Sequence, residues 1–566
     1  MTDLYRPLRD EYAWHVPRYI NLAQRCCLQW AELPSHARAI AIEIVGPDGY
    51  AQSMSFQGLS NLVAKLAHGL DRMGARPGDR IAIVMRERVE ALAIMFACWV
   101  RQCIAVPMVS SEHGDVMTQR IRQSRCRVVF IDDSESDKVL SALHRCSRVQ
   151  QIVGLDVRAD NIMSWAGLLA RQPEQLTVEA TRAQQPALLA WPRRPSSVYP
   201  PQTAYLIAHQ ALIGNLPGFV AANNWFPREA SGMLTTLPLM SEAGLFGVIL
   251  PSLYFGIGVR LQSTLPRNND ALDSGGIRIS HLNTTAGMLC QWLRRYPDSP
   301  AYALKGVSVF GELLSAHWRE MASSRSGVAP NLCTFVDGCG LLWGNSHQMW
   351  PDQVDRAGRV FPGHWLVSQP AQPEAHAEHV RHEIFVSRSD PVGDPDPAIY
   401  TGVWPLKDPA DMIEPIDIVL THPCNLVGHV YDDGAVESAG WSEDVLQIGG
   451  RATHPLLLEQ AAMSLPEVVM AAAIHPPGRR NAHDEAEVWL VVELQGTTSL
   501  SSALHSGLSH RILKSIEGLI DPGLLHLGIA HRISVDSHGH PRRDLLRLRH
   551  GLSGVQPLAV SSSRTT

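Results

Sequence analysis

Lysine is nearly missing from this chain. Its 566 residues include 49 lysines and arginines together, and the only lysines are Lys65, Lys138, Lys305, Lys407 and Lys514. Few positions can therefore supply a catalytic ammonium, and the basic surface is almost wholly guanidinium. Charge is short as well: 18% of residues are charged and the formal net charge is −6. That balance excludes the basic footprint of a nucleic-acid or anionic-membrane binder. The ten cysteines form no CxxC pair, and Cys26–Cys27 are adjacent. This pattern reads as reduced thiols without a zinc site. Met1–Asp10 has no apolar signal core, so the expected location is the cytoplasm. The longest apolar run, Ala91–Val109, is broken by Arg101 and contains Pro107, and it reads as a buried helix followed by a strand, not a membrane span.

Apolar residues make up 45% of the chain, which suits a globular protein of more than one domain. Leu59–Met73 carries apolar residues at helical spacing, "GARPGD" supplies a turn, and Arg80–Met85 is a short buried strand. Val89–Val100 returns to helix, and Ile104–Val109 and Arg127–Ile131 to strand. Farther on, Leu245–Leu253 reads as helix, and "YFGIGVRL" and "GVSVFGE" lead into or contain strands. This alternation implies a parallel sheet covered by helices. Ser368–His382 reads as an exposed connection, and Asp390–Pro397 as a turn cluster. After Trp441, "EVVMAAAIH" and "EVWLVVEL" are strand candidates and Leu500–Leu519 a helix. Val555–Thr566 reads as a mobile tail.

Several stretches resemble the adenylate-forming superfamily, closest to the acetyl- and medium-chain acyl-CoA synthetase branch. They are "WHVPRYINLAQRCCLQWA", "LAHGLDRMGARPGDRIAIVM", "ALIGNLPGFVAANNWFP", "LPSLYFGIGVRL", "GRVFPGH" and "DDGAVESAGWSEDVLQIGG", in family order and spacing. The resemblance implies an α/β fold: a large N-terminal domain of parallel and mixed sheets covered by helices, and a small mobile α+β C-terminal domain. The expected division is 1–441, 442–552 and a disordered tail 553–566. In such a family a carboxylate attacks the α-phosphorus of ATP, pyrophosphate leaves, and a thiol takes the acyl group.

The family's motifs are altered here. The phosphate loop, roughly TSGTTGxPKG, aligns with Pro195–Ala204, which has paired prolines and no glycine. Prolines lack the N–H groups an anion nest needs. The magnesium-holding glutamate aligns with Gly338, with Asp337 one position before it. The ribose-gripping aspartate falls in Thr421-His422-Pro423 or Cys424-Asn425-Leu426. The C-terminal lysine falls in Gly539-His540-Pro541-Arg542-Arg543, and the hinge keeps Glu443-Asp444. On these losses the expectation is that ATP and magnesium binding are gone, leaving no cofactor and no metal.

The candidate catalytic residues are His540, Cys339 and Glu242. The candidate substrate-binding residues are Ser241, Glu242, Gly311, Glu312, Asp337 and Cys339, with Gly311-Glu312 matching a family turn beside the adenine. Three functions stay open. The first is a pseudoenzyme that binds an acyl group or a protein partner in a biosynthetic assembly. The second is an ATP-independent acyl-transfer, condensing or hydrolytic enzyme acting on a CoA or carrier-protein thioester. The third is a diverged but active acid–thiol ligase. No nucleic-acid partner and no membrane span are expected.

Overall fold

The computed structural model describes residues 2–557 except 47, 111, 158, 195–197, 201–202, 267–275, 297–302, 312–313, 352–355, 371–381, 405–419, 449–450, 477–486, 495–501, 517–524, 536–540 and 549–554. The apolar run Val89–Val100 is a helix buried on every side, flanked by the strands Arg80–Val84 and Ile104–Pro107. A helix apolar all round has no solvent face to give up, so it forms the centre of the first layer. Those strands sit in an eight-stranded sheet with Val128–Asp132, Gln151–Leu155, Met163–Ser164, Pro186–Ala190, Ala204–Ala208 and Gly402–Trp404. The pairings among Arg80–Val84, Ile104–Pro107, Val128–Asp132 and Gln151–Leu155 are parallel.

A second sheet has thirteen strands. Its centre runs parallel from Ile40–Val45 through Val259–Gln262, Met233–Thr235, His281–Thr285 and Gly306–Phe310 to Asn331–Val336. Beyond Asn331–Val336 the sheet turns antiparallel through Gly340–Gly344. The helix Ala211–Ala222 lies against this sheet, and its glycines explain the contact. A Cβ on Gly214 would stand 2.2 Å from the Ala398 nitrogen, and one on Gly218 would press on Phe361 and Leu341. Asn215 completes the docking by accepting the Leu341 N–H at 2.9 Å. The sequence keeps this helix because it packs, independently of the loop before it.

The C-terminal region builds a four-stranded sheet in the order Val468–Ile474, Val488–Leu494, Leu525–Ala530, Val555–Pro557. Val555–Pro557 pairs antiparallel with Gly528, Ile529 and Ala530. The tail expected from residue 553 therefore includes a sheet-edge strand, and this corrects the sequence reading; backbone pairing there outweighs the polar composition. Leu366–Pro370 and His382–Ser387 are paired strands, so part of the connection expected over Ser368–His382 is sheet. The helix expected over Leu245–Leu253 is present, with a π-helical turn at Leu245–Ile249.

Candidate functional site

The strand Asn331–Val336 organises the site. Thr334 lies mid-strand and Asp337 just past its end, about 10 Å apart at ~3.3 Å per residue. At the level of Thr334 a narrow crevice opens between the large sheet and the chain entering the C-terminal region. Gly311, Cys333, Thr334, Leu426, Gly440, Trp441 and His454 contribute to its walls. Gly311 takes φ +96°, a left-handed conformation suited to glycine, while its N–H bonds the Cys333 carbonyl. His454 caps the helix Pro455–Met463: its Nδ1 accepts the Leu456 N–H at 3.1 Å. A neutral imidazole used this way carries its proton on Nε2, the nitrogen that faces Gly440.

At the level of Asp337 the site is acidic and buried. The Gly338 N–H points between both carboxylate oxygens of Glu242, each 3.0 Å away. Burial first, and the Asp337 charge second, push the Glu242 carboxyl well above the ordinary range. Asp337 accepts from the Arg193 backbone N–H at 2.8 Å and meets its guanidinium at 3.4 Å. Ser241 caps the short helix Glu242–Gly244 by accepting the Gly244 N–H. The structure thus brings Ser241, Glu242, Asp337 and Cys339 together, and Ser241 serves the helix terminus. Cys339 is fully buried, and burial raises its thiol far above the usual range, with Cys424 and Glu242 adding to the effect. A nucleophile needs the thiolate, so this environment corrects the nucleophilic role expected of Cys339. Gly311 lies apart, in the crevice. Glu312 and His540 lie outside the described residues, as do Pro195–Ser197 and Pro201–Gln202 of the phosphate-loop alignment.

Against the Gly338 turn stands an aromatic box that sequence reading did not find. The Tyr199 and Tyr400 hydroxyls are 2.9 Å apart, and the Tyr400 hydroxyl is 3.3 Å from His422 Nδ1. His422 Nε2 faces the Tyr205 hydroxyl at 3.4 Å, and the Tyr205 and Tyr400 rings stack at 4.7 Å. Burial, then Arg388, lowers His422 to about 4, so its ring is neutral near pH 7, with one nitrogen donating and the other accepting. The Tyr400 N–H bonds the Gly338 carbonyl at 2.7 Å. A Cβ on Gly338, which has φ +79°, would meet the Tyr205 ring at 2.5 Å. Position 338 therefore has no room for a side chain: the ring has taken the space. These four side chains come from segments more than two hundred residues apart, and no local motif announces them.

The residues present can be tested against ATP and magnesium. The crevice is narrow as it stands, and Gly311 and Trp441 give it a wall without a bulky side chain and a wall with a flat ring. Among the described residues no group of three or more His, Cys, Asp or Glu could hold a metal. Magnesium, however, is commonly held by one or two carboxylates together with substrate phosphates, and Asp337 supplies one carboxylate. Among the described residues no helix is long and apolar enough to cross a membrane.

Residues 29–195 match the family model of the AMP-binding enzymes. The chain is 26% identical over 129 residues to an acetyl-coenzyme A synthetase of Cryptosporidium parvum, covering 23% of this chain and 18% of that protein. It is 24% identical over 200 residues to an acetyl-coenzyme A synthetase of Streptomyces avermitilis, covering 31% and 30%. The chain thus aligns with less than a third of the length of each of these two relatives. Among solved structures, an anthranilate CoA ligase, AuaEII, in complex with anthranoyl-AMP superposes with a TM-score of 0.75 at 16% identity over 94% of this chain and 98% of that one. ATP-bound MatB from Rhodopseudomonas palustris gives 0.70 at 19% identity over 94% and 99%. These findings correct the expectation that ATP and magnesium use has been lost. The family-model match, the synthetase relatives and neighbours solved with ATP or an acyl-AMP all oppose it.

Proposed function

We propose that this chain is an acyl-CoA synthetase-like protein of the adenylate-forming superfamily, a diverged acid–thiol ligase that uses ATP to activate a carboxylic acid. In that reaction ATP supplies the phosphoryl electrophile: the carboxylate oxygen bonds to the α-phosphorus as the bond to pyrophosphate breaks, and a thiol then displaces AMP from the acyl group. The single observation that carries the reading is the placement of the crevice between Gly311, Thr334 and Trp441 on the same strand end that presents Asp337 and Arg193.

The roles of the chain's own groups follow from their positions. Gly311 lets the turn approach a flat base, and the His454 ring forms part of the crevice wall. Asp337 would hold magnesium beside the phosphates, with Arg193 next to it as a cation for developing phosphate charge. Glu242 fixes the Gly338 turn and gives the acid-binding end a polar wall. The division into a large domain ending at Trp441 and a C-terminal domain from Ser442 belongs to the same reading, as does a cytoplasmic location supplying CoA.

A pyrophosphate-release assay with magnesium, ATP and a panel of aliphatic, aromatic and amino-substituted carboxylic acids tests the proposal. Acid-dependent release, with trapping of the acyl group by CoA, is expected for at least one class. No acid-dependent release across the panel, together with no ATP binding by calorimetry, overturns it.

A further inference from the structure

Two adjacent arginines leave the strand Pro186–Ala190 and reach in opposite directions. Arg193 goes to Asp337. Arg194 goes to the crevice wall, where its guanidinium lies 4.7 Å above the Trp441 ring. It pairs with Glu443 and donates to Asp444 Oδ2 at 2.9 Å. Asp444 is almost wholly buried, and its other partners belong to the C-terminal region. Arg543 reaches the same Oδ2 at 3.2 Å, and Arg547 reaches Oδ1 at 2.9 Å. Arg543 in turn forks onto Glu459, in the helix Pro455–Met463 that His454 caps. One carboxylate thus receives a cation from the large domain and two from the C-terminal unit, and the cation from the large domain is stacked on a wall of the crevice.

We propose that Arg194 is the positioning residue of the nucleotide crevice, coupling occupancy of the crevice to docking of the C-terminal unit by clamping Trp441 and Asp444 together. This inference rests on the nucleotide-binding reading given above. A ligand that packs against Trp441 favours the ring orientation that Arg194 stacks on. The same guanidinium then favours the Asp444 position that Arg543 and Arg547 require. Coupling of this kind is reciprocal: whatever binding gains from docking, docking gains from binding. Arginine suits the position because its planar guanidinium stacks and forks at once; lysine brings the charge without the plane.

The test uses the full-length chain with AMP as the probe. Affinity is read by calorimetry, and amide exchange is followed at Asp444 and Val445, whose N–H groups bond the Trp441 carbonyl, and at Ala473 in the C-terminal sheet. In the wild-type chain AMP slows exchange at Ala473. In Arg194→Ala, AMP binding weakens about tenfold, exchange at Asp444 and Val445 rises, and AMP no longer protects Ala473. Arg194→Lys restores the junction exchange in part, but not the AMP affinity. Arg228→Ala, which removes a second Arg–Trp stack, over Trp225, changes none of these. An Arg194→Ala chain that binds AMP within about twofold of wild type, or in which AMP still protects Ala473, overturns the coupling while leaving the functional reading intact. A wild-type chain that binds no AMP at millimolar concentration overturns both.

Discussion

The Arg543–Glu459 fork offers the sharpest physical test of how the C-terminal unit is held. Arg543 donates from Nε to Glu459 Oε1 at 2.9 Å and from Nη2 to Oε2 at 2.7 Å. Side-chain exposure is 3% for the arginine and 0% for the glutamate. Glu459 Oε1 also accepts the Ala473 N–H at 2.7 Å, so the carboxylate ties the helix Pro455–Met463 to the strand Val468–Ile474. Arg543→Met keeps an apolar stem of similar length and removes the guanidinium. Stripping one partner from a buried pair costs about 3–5 kcal/mol, because the remaining charge stays buried. The local opening equilibrium should therefore rise by about a hundredfold or more. Native-state exchange of the Ala473 amide reads this directly, since its acceptor is the carboxylate that loses its partner. Adding Glu459→Gln to Arg543→Met should recover part of the protection, because the unpaired buried charge is gone while the amide oxygen can still accept the Ala473 N–H. If Arg543→Met leaves Ala473 exchange within about threefold of wild type, the network contributes little and the argument fails. The pH dependence has a definite sign. Burial raises the Asp444 carboxyl, but Arg543, Arg194 and Arg547 together outweigh it and the net shift is downward. The stabilisation is therefore present above the unfolded value of ~3.9 and is lost as pH falls through the lower folded value.

Three further outcomes test other parts of the site. Burial raises Glu87 to about 7 despite the N–H groups of Leu239 and Met240 that it accepts. Its folded value lies above its unfolded one, so its charging opposes folding as pH rises from the ordinary carboxylate range to about 7, and thermal melts of Glu87→Gln should lack that fall. Gly338→Ala places a Cβ 2.5 Å from the Tyr205 ring at a positive φ, and urea unfolding should show a loss of about 2 kcal/mol or more, from left-handed strain and overpacking together. Tyr199→Phe removes the hydroxyl facing Tyr400 and should cost about 1 kcal/mol in the same assay; no change would mean that the aromatic box draws its stability from stacking alone.

What the sequence determined by itself was the scaffold. An uninterrupted apolar stretch such as Val89–Val100 is buried wherever it goes, and short β-branched runs such as Val128–Asp132 pair into a parallel sheet, so periodicity and length sufficed. The glycines of Ala211–Ala222 were visible in the same way, although only the structure gave their reason in Ala398, Phe361 and Leu341. The glycine at position 338 was legible as a letter; its cause was not. That cause is the Tyr205 ring, which arrives from a strand more than a hundred residues earlier and is held by Tyr400 and His422. The ATP correction came from the comparisons: motifs read singly register the loss of individual donors, whereas the family-model match over residues 29–195 and the likeness of the whole fold do not depend on any one of them. The tertiary structure alone decided which of Arg193 and Arg194 faces Asp337 and which faces Asp444. Neighbours in sequence share a composition, but the direction of each side chain is set by the surfaces that fold around it.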